Sequence, residues 1–163
     1  MKQYRPDKTC IHAGYTPGNG EPRVLPIVQS TTYTYDSSKE MGDLFDLKAD
    51  GFFYTRLGNP TLDAVEKKLA ALEGGGGALV TSSGQAATMM AVLNICHAGG
   101  HVVCSSAVYG GTFNLFYKTL HEMGIDCTFV SPNCTEDELN AAFRENTRCV
   151  FAETLQNQSL VVT

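Results

Sequence analysis

The fold of this chain is decided by residues 78–105, which read ALVTSSGQAATMMAVLNICHAGGHVVCS. Residues 78–82 are apolar and β-prone, and they run directly into small polar residues and a helix-forming stretch at about 85–97. A glycine pair then precedes a second apolar, β-branched run at 101–105. This order predicts a strand, a helix and a second strand, the βαβ unit from which parallel sheets are built.

The same alternation extends in both directions along the chain. The further predicted elements are a helix at 60–73, a helix at 112–123, a strand at 126–130, a helix at 135–145 and a strand at 148–153. Helices placed between strands in this way indicate an α/β protein with a mostly parallel sheet. Ligands of such sheets bind beyond the carboxyl ends of the strands, so functional residues are expected at those ends.

The first fifty residues differ from the rest. They are rich in Pro, Gly, Thr and Tyr, and they lack sustained helical periodicity. We therefore predict an extended N-terminal arm at 1–50, followed by a partial α/β domain at 51–163. The sequence stops in the β-branched run Val161-Val162-Thr163, although a parallel sheet is normally covered and continued. We expect the chain to be part of a larger unit, cut or separately encoded.

Composition argues against several classes of function. The net charge is −5 without a long basic run, whereas duplex binding needs a clustered basic face. No stretch reaches the roughly 18 uncharged apolar residues of a membrane span, and the N-terminus lacks the apolar segment of a signal peptide. These features predict a cytoplasmic protein that binds neither nucleic acid nor membrane. The six cysteines include no Cys-x-x-Cys pair and no zinc spacing, so we expect no metal site. Cys104, Cys127 and Cys149 lie in apolar strand-like runs, and we interpret them as small buried hydrophobes.

A candidate phosphate site lies at the first turn from strand to helix. Ser83, Gly84 and Gln85 follow the predicted strand 78–82 directly. Backbone N–H groups at a helix start lack partners inside the helix and carry partial positive charge. A turn of small residues lets a phosphate approach those groups. The alternative is an ordinary helix cap, because small polar residues cap many helices.

Aromatic and charged residues complete the set of candidates. Tyr109 follows a predicted strand and precedes two glycines, which leaves its ring face open to a flat ligand. Tyr54 and Arg56 precede a predicted helix; an arginine binds phosphate through two aligned hydrogen bonds, and the alternative is a solvated pair. Glu153 and Asn157 lie at the end of the last strand, either as site residues or as ordinary surface residues. Phosphate site and aromatic cover together indicate a phosphorylated aromatic cofactor.

Six short motifs in order resemble one enzyme family. They lie at residues 9–14, 26–32, 54–61, 83–87, 109–112 and 153–154. The set resembles the N-terminal part of the Cys/Met-metabolism pyridoxal-phosphate enzymes, the trans-sulfuration group. The resemblance implies an aspartate aminotransferase-like fold of type I, of which this chain supplies the arm and the first half of the large domain.

The resemblance also implies roles for individual residues toward pyridoxal 5'-phosphate. Residues 83–85 hold the cofactor phosphate, and Tyr109 stacks on the pyridine ring and assists proton transfer. Tyr54 and Arg56 reach the phosphate in a neighbouring subunit, so the site is shared within a homo-oligomer, a homotetramer. Asn157 lies near the ring hydroxyl of the cofactor or the carboxylate of an amino-acid substrate.

Within the family, residues 109–116 are most similar to the O-acetylhomoserine sulfhydrylases. Methionine γ-lyases carry a cysteine where this chain has Gly111. The implied reaction replaces the acetate of O-acetylhomoserine with sulfide and gives homocysteine, a step of methionine biosynthesis. Methionine γ-lyase and cystathionine γ-synthase or lyase remain alternatives.

Two departures from the family pattern bear on activity. Gln158 stands where the family usually has a proline, which affects the rigidity of that loop. None of the seven lysines lies in the Ser-x-Thr-Lys context of the Schiff-base lysine. We therefore expect the chain to be inactive alone and to act with a lysine-bearing C-terminal half, including one on a separate chain. A catalytically silent interaction fragment and, more remotely, a Rossmann-type nucleotide binder are the alternatives.

Overall fold

The structure is a computed structural model that describes residues 5–156, 160 and 162. The chain divides into two compact units, Met1–Val80 and Thr81–Thr163, each described here by itself. The predicted division into an arm at 1–50 and a domain from residue 51 stays a prediction. The boundary between the two compact units is a separate one and lies after Val80.

Three helices are described in the first unit. They are α1 (Pro6–His12), α2 (Ser38–Phe45) and α3 (Pro60–Glu73). Helix α3 confirms the prediction for 60–73. The side chain of Asn59 caps it by accepting the N–H of Thr61, and Gly74 ends it with a left-handed φ of 67°. A left-handed residue after the last turn is a common helix stop that favours glycine.

The N-terminal arm is tied to the motif at 54–61 by side-chain hydrogen bonds. The Asn59 side chain is buried and donates to the carbonyl oxygen of Val28 at 3.0 Å. The hydroxyl of Thr61 donates to the carbonyl of Pro26 and accepts the N–H of Val28, both at 2.9 Å. These bonds satisfy backbone groups of residues 26–28, a stretch of the arm that lies outside the helices and strands.

The second unit contains the parallel sheet. Its elements are α4 (Gly84–Ile95), β1 (His101–Ser105), α5 (Gly110–Asn114), β2 (Asp126–Val130), α6 (Glu136–Ala142) and β3 (Thr147–Phe151). In the described part of the chain, the strands run parallel in the order β2-β1-β3. His101 pairs with Asp126 on one side and with Thr147 on the other. The predicted α/β architecture is confirmed.

The core of the second unit lies on one face of this sheet. Every residue of the central strand β1 is buried. The buried cluster on that face consists of Val92, Cys96, Val102, Cys104, Val108, Leu115, Phe116, Leu120 and Ile125. Helix α4 and the chain after α5 supply the side chains that cover the strand. Cys104 is buried among apolar groups, as the sequence predicts, whereas Cys127 and Cys149 are only partly buried and pack against the cluster.

The predicted strand at 78–82 is wrong. These residues form no strand, because within residues 5–156 none of the three paired strands forms a ladder with them. The N–H of Val80 is instead accepted by the carboxylate of Glu66 at 2.9 Å. A strand requires a partner to bond its backbone groups, and an apolar β-prone run does not reveal whether that partner exists.

The predicted helix at 112–123 differs in a second way. It begins earlier, at Gly110, and after α5 it continues as a π-helix over Leu115–Leu120. The wider turn bonds residues five apart, and Leu115 and Leu120 both lie in the core. The spacing of these apolar residues therefore belongs to a π-helix here, although the sequence pattern predicts an ordinary α-helix.

His101 joins three strands at one end of the sheet. Its ring is fully buried, with Nδ1 2.8 Å from the Thr147 hydroxyl and Nε2 2.9 Å from the Thr128 hydroxyl. The guanidinium of Arg144 donates to the same Thr128 hydroxyl at 3.2 Å. Burial lowers the pKa of His101, and the positive charge of Arg144 lowers it further, against the opposing effect of Asp126. These contacts give His101 a structural role in joining the three strands.

Candidate active site

The start of α4 offers open backbone donors. Gly84 and Gln85 occupy its first turn, and among the described residues no group accepts a hydrogen bond from their backbone N–H groups. A Cβ atom placed on Gly84 would meet no heavy atom within 4 Å. An anion can therefore approach these amides without displacing a side chain. The donors and the open space fit a phosphate group.

Ser83 caps the same helix. Its Oγ accepts the N–H of Ala86 at 3.1 Å, so the capping alternative describes a real contact. A serine hydroxyl has one proton to donate beside the lone pairs that accept. The cap thus leaves the Ser83 hydroxyl a proton for a phosphate oxygen, and the two interpretations are compatible.

Tyr109 lies at the start of α5, just beyond the carboxyl end of β1. Its side chain is 53% exposed, so a ring face is accessible to a ligand. Its backbone N–H donates to Oε1 of Glu153 at 2.9 Å. The amide at the start of α5 is therefore already occupied by a carboxylate, whereas the amides at the start of α4 are not.

Gly111 lies where the start of α5 approaches the start of α4. A Cβ atom on Gly111 would lie 2.6 Å from Cε1 of Tyr109 and 3.3 Å from the side-chain nitrogen of Gln85. That Gln85 nitrogen donates to the hydroxyl of Thr112 at 3.0 Å, and Thr112 is buried. The aromatic ring, the side-chain amide and the first turn of α4 thus lie side by side at one edge of the sheet.

Tyr54 and Arg56 are close to each other in the first unit. The Arg56 guanidinium carbon lies 5.1 Å from the centre of the Tyr54 ring, a distance at which cation and ring attract. Tyr54 also forms an isolated antiparallel bridge with Thr32 of the arm. Arg56 is exposed and keeps its charge accessible. Contact of this pair with a phosphate of a neighbouring subunit stays a prediction.

The description "Cys/Met metabolism PLP-dependent enzyme" belongs to the family model that matches residues 7–163. The chain belongs to this family. The family and the fold class that the sequence predicts are confirmed, and the family is one that depends on pyridoxal phosphate.

Relatives within the family support the same assignment. The chain is 42% identical over 160 residues to O-acetyl-L-homoserine sulfhydrylase of Leptospira meyeri, covering 98% of this chain and 36% of that protein. It is 40% identical over 161 residues to L-methionine gamma-lyase of Fusobacterium nucleatum subsp. polymorphum, covering 99% of this chain and 40% of that protein. The chain thus spans less than half the length of these relatives.

A solved structure of a family member resembles the fold. It is a Campylobacter jejuni protein assigned as an O-acetylhomoserine (thiol)-lyase, and it contains N'-pyridoxyl-lysine-5'-monophosphate. The TM-score is 0.85 at 30% identity, over 98% of this chain and 39% of that one.

Two of the contacts are not evident from the sequence of this family member. Thr112 belongs to a recognised motif, but only the structure shows that it holds the side chain of Gln85. Glu153 is recognised at the end of a strand, but only the structure shows that it binds the backbone of Tyr109. Asn157 lies outside the described residues, so its predicted role stays a prediction.

Other features of the described residues do not compete with this site. A groove of about 1090 Å³ lies in the first unit, and its Lys67 is paired with Asp63 at 2.6 Å. No group of three or more His, Cys, Asp or Glu side chains in that part of the chain is arranged to hold a metal ion. No helix there combines the length and apolar character needed to cross a membrane.

Proposed function

We propose that this chain is the cofactor-phosphate-binding segment of an O-acetylhomoserine sulfhydrylase. The whole enzyme replaces the acetate of O-acetylhomoserine with sulfide and forms homocysteine. The observation that carries the proposal is the open first turn of α4, with the unbonded amides of Gly84 and Gln85 beside the exposed ring of Tyr109. The similarity to O-acetyl-L-homoserine sulfhydrylases supports the choice of reaction.

Different residues of this chain bind the phosphate and the pyridine ring of the cofactor. The Gly84 and Gln85 amides and the Ser83 hydroxyl bind the phosphate of pyridoxal 5'-phosphate, helped by the partial positive charge of the helix start. Tyr109 covers one face of the pyridine ring and restricts its orientation. When bound, the cofactor supplies an electron sink for the γ-replacement.

Further contacts come from other parts of a cytoplasmic homotetramer. Arg56 and Tyr54 of one subunit contact the phosphate in another, and the fork of the guanidinium matches two phosphate oxygens. Asn157 contacts the cofactor hydroxyl or the substrate carboxylate. None of the chain's seven lysines has the family's Schiff-base context, so a lysine-bearing C-terminal segment must complete the site, and the chain alone is inactive.

Gly111 favours the sulfhydrylase over the second candidate, a methionine γ-lyase. The γ-lyase candidate is supported by the L-methionine gamma-lyase relative. Methionine γ-lyases carry a cysteine at this position, whereas here the Tyr109 ring occupies the space that such a side chain needs. The ring position observed in this chain is therefore compatible only with glycine at 111.

Gly84→Pro tests the phosphate site without breaking the helix. Gly84 is the first residue of α4, where proline is favoured, and the preceding Ser83 has the extended ψ of 155° that proline requires. The substitution removes one amide donor. Glu136→Pro makes the same change at the first residue of α6, after Thr135 with ψ 163°, and serves as the matched control.

The probe is pyridoxine 5'-phosphate, which lacks an aldehyde and forms no Schiff base with the lysines. We expect the parent chain and the Glu136→Pro variant to bind it, and the Gly84→Pro variant to bind several-fold more weakly. Equal binding by the parent and Gly84→Pro would contradict the proposed site, and so would saturable binding of NAD with the same affinity.

Mixing the chain with the C-terminal segment of a sulfhydrylase tests the reaction. Homocysteine should form from O-acetylhomoserine and sulfide. Release of methanethiol from methionine without homocysteine formation would instead favour the γ-lyase. Failure of well-folded complexes to do either would favour the silent interaction fragment.

A further inference from the structure

Glu153 ties the end of one strand to the loop of its neighbour. It lies two residues beyond the last residue of β3, Phe151, and its Oε1 accepts the N–H of Tyr109 at 2.9 Å. Strands β1 and β3 are parallel neighbours, so their carboxyl ends open at the same edge of the sheet. The carboxylate thus joins two segments that are 44 residues apart in the sequence.

The loop between β1 and α5 is held at both sides. Near its start, the N–H of Ser106 donates to the carbonyl of Val130 in β2 at 2.8 Å. At its end, Glu153 holds the amide of Tyr109. Tyr109 makes no capping hydrogen bond with its own side chain. Its carbonyl accepts the N–H of Phe113 at 2.9 Å in the first turn of α5, and its N–H donates to Glu153, so these two backbone bonds together restrain the direction in which its ring leaves the chain.

The ring of Tyr109 lies over a residue that has no side chain. Gly111 lies beneath it, and a Cβ atom there would come within 2.6 Å of the ring. A glycine provides space but no hydrogen bond that holds the ring. The ring therefore depends on the position of its own backbone, and Glu153 fixes the N–H side of that backbone.

We propose that Glu153 is a positioning residue for Tyr109, and that it sets the angle at which the ring meets a flat ligand bound at the start of α4. This rests on the proposed function, since the ligand is the pyridine ring of the cofactor. The contact requires an acceptor oxygen at this point rather than a negative charge, because its partner is a neutral amide.

Two substitutions separate the acceptor from the charge. Glu153→Gln and Glu153→Ala both remove the charge, but only Glu153→Gln keeps a carbonyl oxygen that can accept the N–H of Tyr109. Glu145→Ala is the matched control, because Glu145 is an exposed glutamate in the turn before β3. Far-ultraviolet circular dichroism and the thermal midpoint verify that each variant folds.

The first readout needs no ligand. Hydrogen exchange at the Tyr109 amide should be faster in Glu153→Ala than in the parent chain, and close to the parent in Glu153→Gln and Glu145→Ala. Unchanged exchange in Glu153→Ala would overturn the inference whatever the ligand measurements show.

The second readout separates ring from phosphate. Binding of pyridoxine 5'-phosphate is compared with binding of inorganic phosphate in each variant. The affinity for pyridoxine 5'-phosphate divided by the affinity for inorganic phosphate should be about twofold to tenfold lower in Glu153→Ala than in Glu153→Gln. This is the range expected for loss of one aromatic stacking contact. A purely structural role would weaken both ligands together and leave the ratio unchanged, which would count against the inference.

A double substitution completes the test. In the Tyr109→Ala background, replacing Glu153 by alanine should change the ratio no further, because both substitutions act through one ring. Independent, additive losses would overturn the inference. If the parent chain binds no pyridoxine 5'-phosphate, the proposed function fails, and the exchange rate at Tyr109 still decides whether Glu153 holds that residue.

Discussion

The ring of Tyr109 occupies the space into which a side chain on Gly111 would project. The distance from a Cβ atom at that position to Cε1 of the ring would be 2.6 Å, well below an ordinary carbon–carbon contact. The two residues are therefore coupled, since one keeps its place only while the other has no side chain.

Replacing Gly111 by alanine should move the Tyr109 ring away from the start of α4. We expect the affinity for pyridoxine 5'-phosphate to fall by about 0.5–1.5 kcal/mol, the value of an aromatic stacking contact, while inorganic phosphate binds as before. Gly110→Ala is the matched control, because a Cβ atom there meets nothing within 4 Å. Isothermal titration with both ligands measures the difference, and equal affinities in the two variants would show that the ring is not displaced.

Arg56→Ala should weaken phosphate binding in the assembled enzyme more than it lowers stability. Arg56 is exposed and contacts the Tyr54 ring, an interaction of about 0.5–1 kcal/mol at an exposed site. Cofactor affinity is measured after addition of a lysine-bearing C-terminal segment. Arg56→Lys, which keeps the charge but loses the fork, should fall between parent and alanine. Equal cofactor affinity in Arg56→Ala and the parent would reject the role, and Arg23→Ala controls for loss of an exposed arginine.

His101 should make stability depend on pH. Its pKa in the folded state lies below the ordinary value of 6.5 because the ring is buried near Arg144, so the unfolded chain binds a proton more readily. Its contribution is complete above 6.5 and is lost as the pH falls from there toward the folded-state pKa. The free energy of unfolding should therefore decrease below this pH in the parent and less steeply in His101→Gln.

Urea unfolding at a series of pH values measures this effect. The other three histidines are present in both proteins, so the difference between the two curves reports His101. Parallel curves for parent and variant would contradict the lowered pKa.

Asn59→Ala should destabilise the first unit by about 2–4 kcal/mol, because it removes a helix cap and leaves the partly buried carbonyl of Val28 without its donor. Asn59 both accepts the N–H of Thr61 and donates to Val28. Asn59→Asp keeps the acceptor and loses the donor, so its loss should be smaller. The free energy of unfolding from denaturant titration gives both values, and equal losses in the two variants would assign the effect to the donor alone.

Local sequence predicted the elements whose formation depends on local residues. His101–Ser105 forms a strand at the predicted bounds because a short β-branched run between turn residues is typical of a buried central strand. Helix α3 starts and ends at its predicted bounds for the same reason, because Asn59 and Gly74 are local cap residues. The run at 78–82 failed because a strand also needs a neighbour, which no local pattern specifies.

The candidate site shows the same division. Ser83, Gly84, Gln85 and Tyr109 were selected as candidates because they follow predicted strands. The bond between Glu153 and Tyr109 could not be found in this way, because it depends on β3 lying directly beside β1 rather than beside β2, its neighbour in sequence. Sheet order is a non-local property, and the contacts that it creates become visible only in the structure.

The most direct test of the account follows the backbone amides themselves. In a chain labelled with ¹⁵N, titration with pyridoxine 5'-phosphate should shift the amide resonances of Gly84 and Gln85 most strongly, with inorganic phosphate shifting the same two. The ring-bearing ligand alone should also shift the resonances of Tyr109. Shifts confined to other parts of the chain, or none at Gly84 and Gln85 at saturation, would contradict the claim that the cofactor phosphate binds at the start of α4.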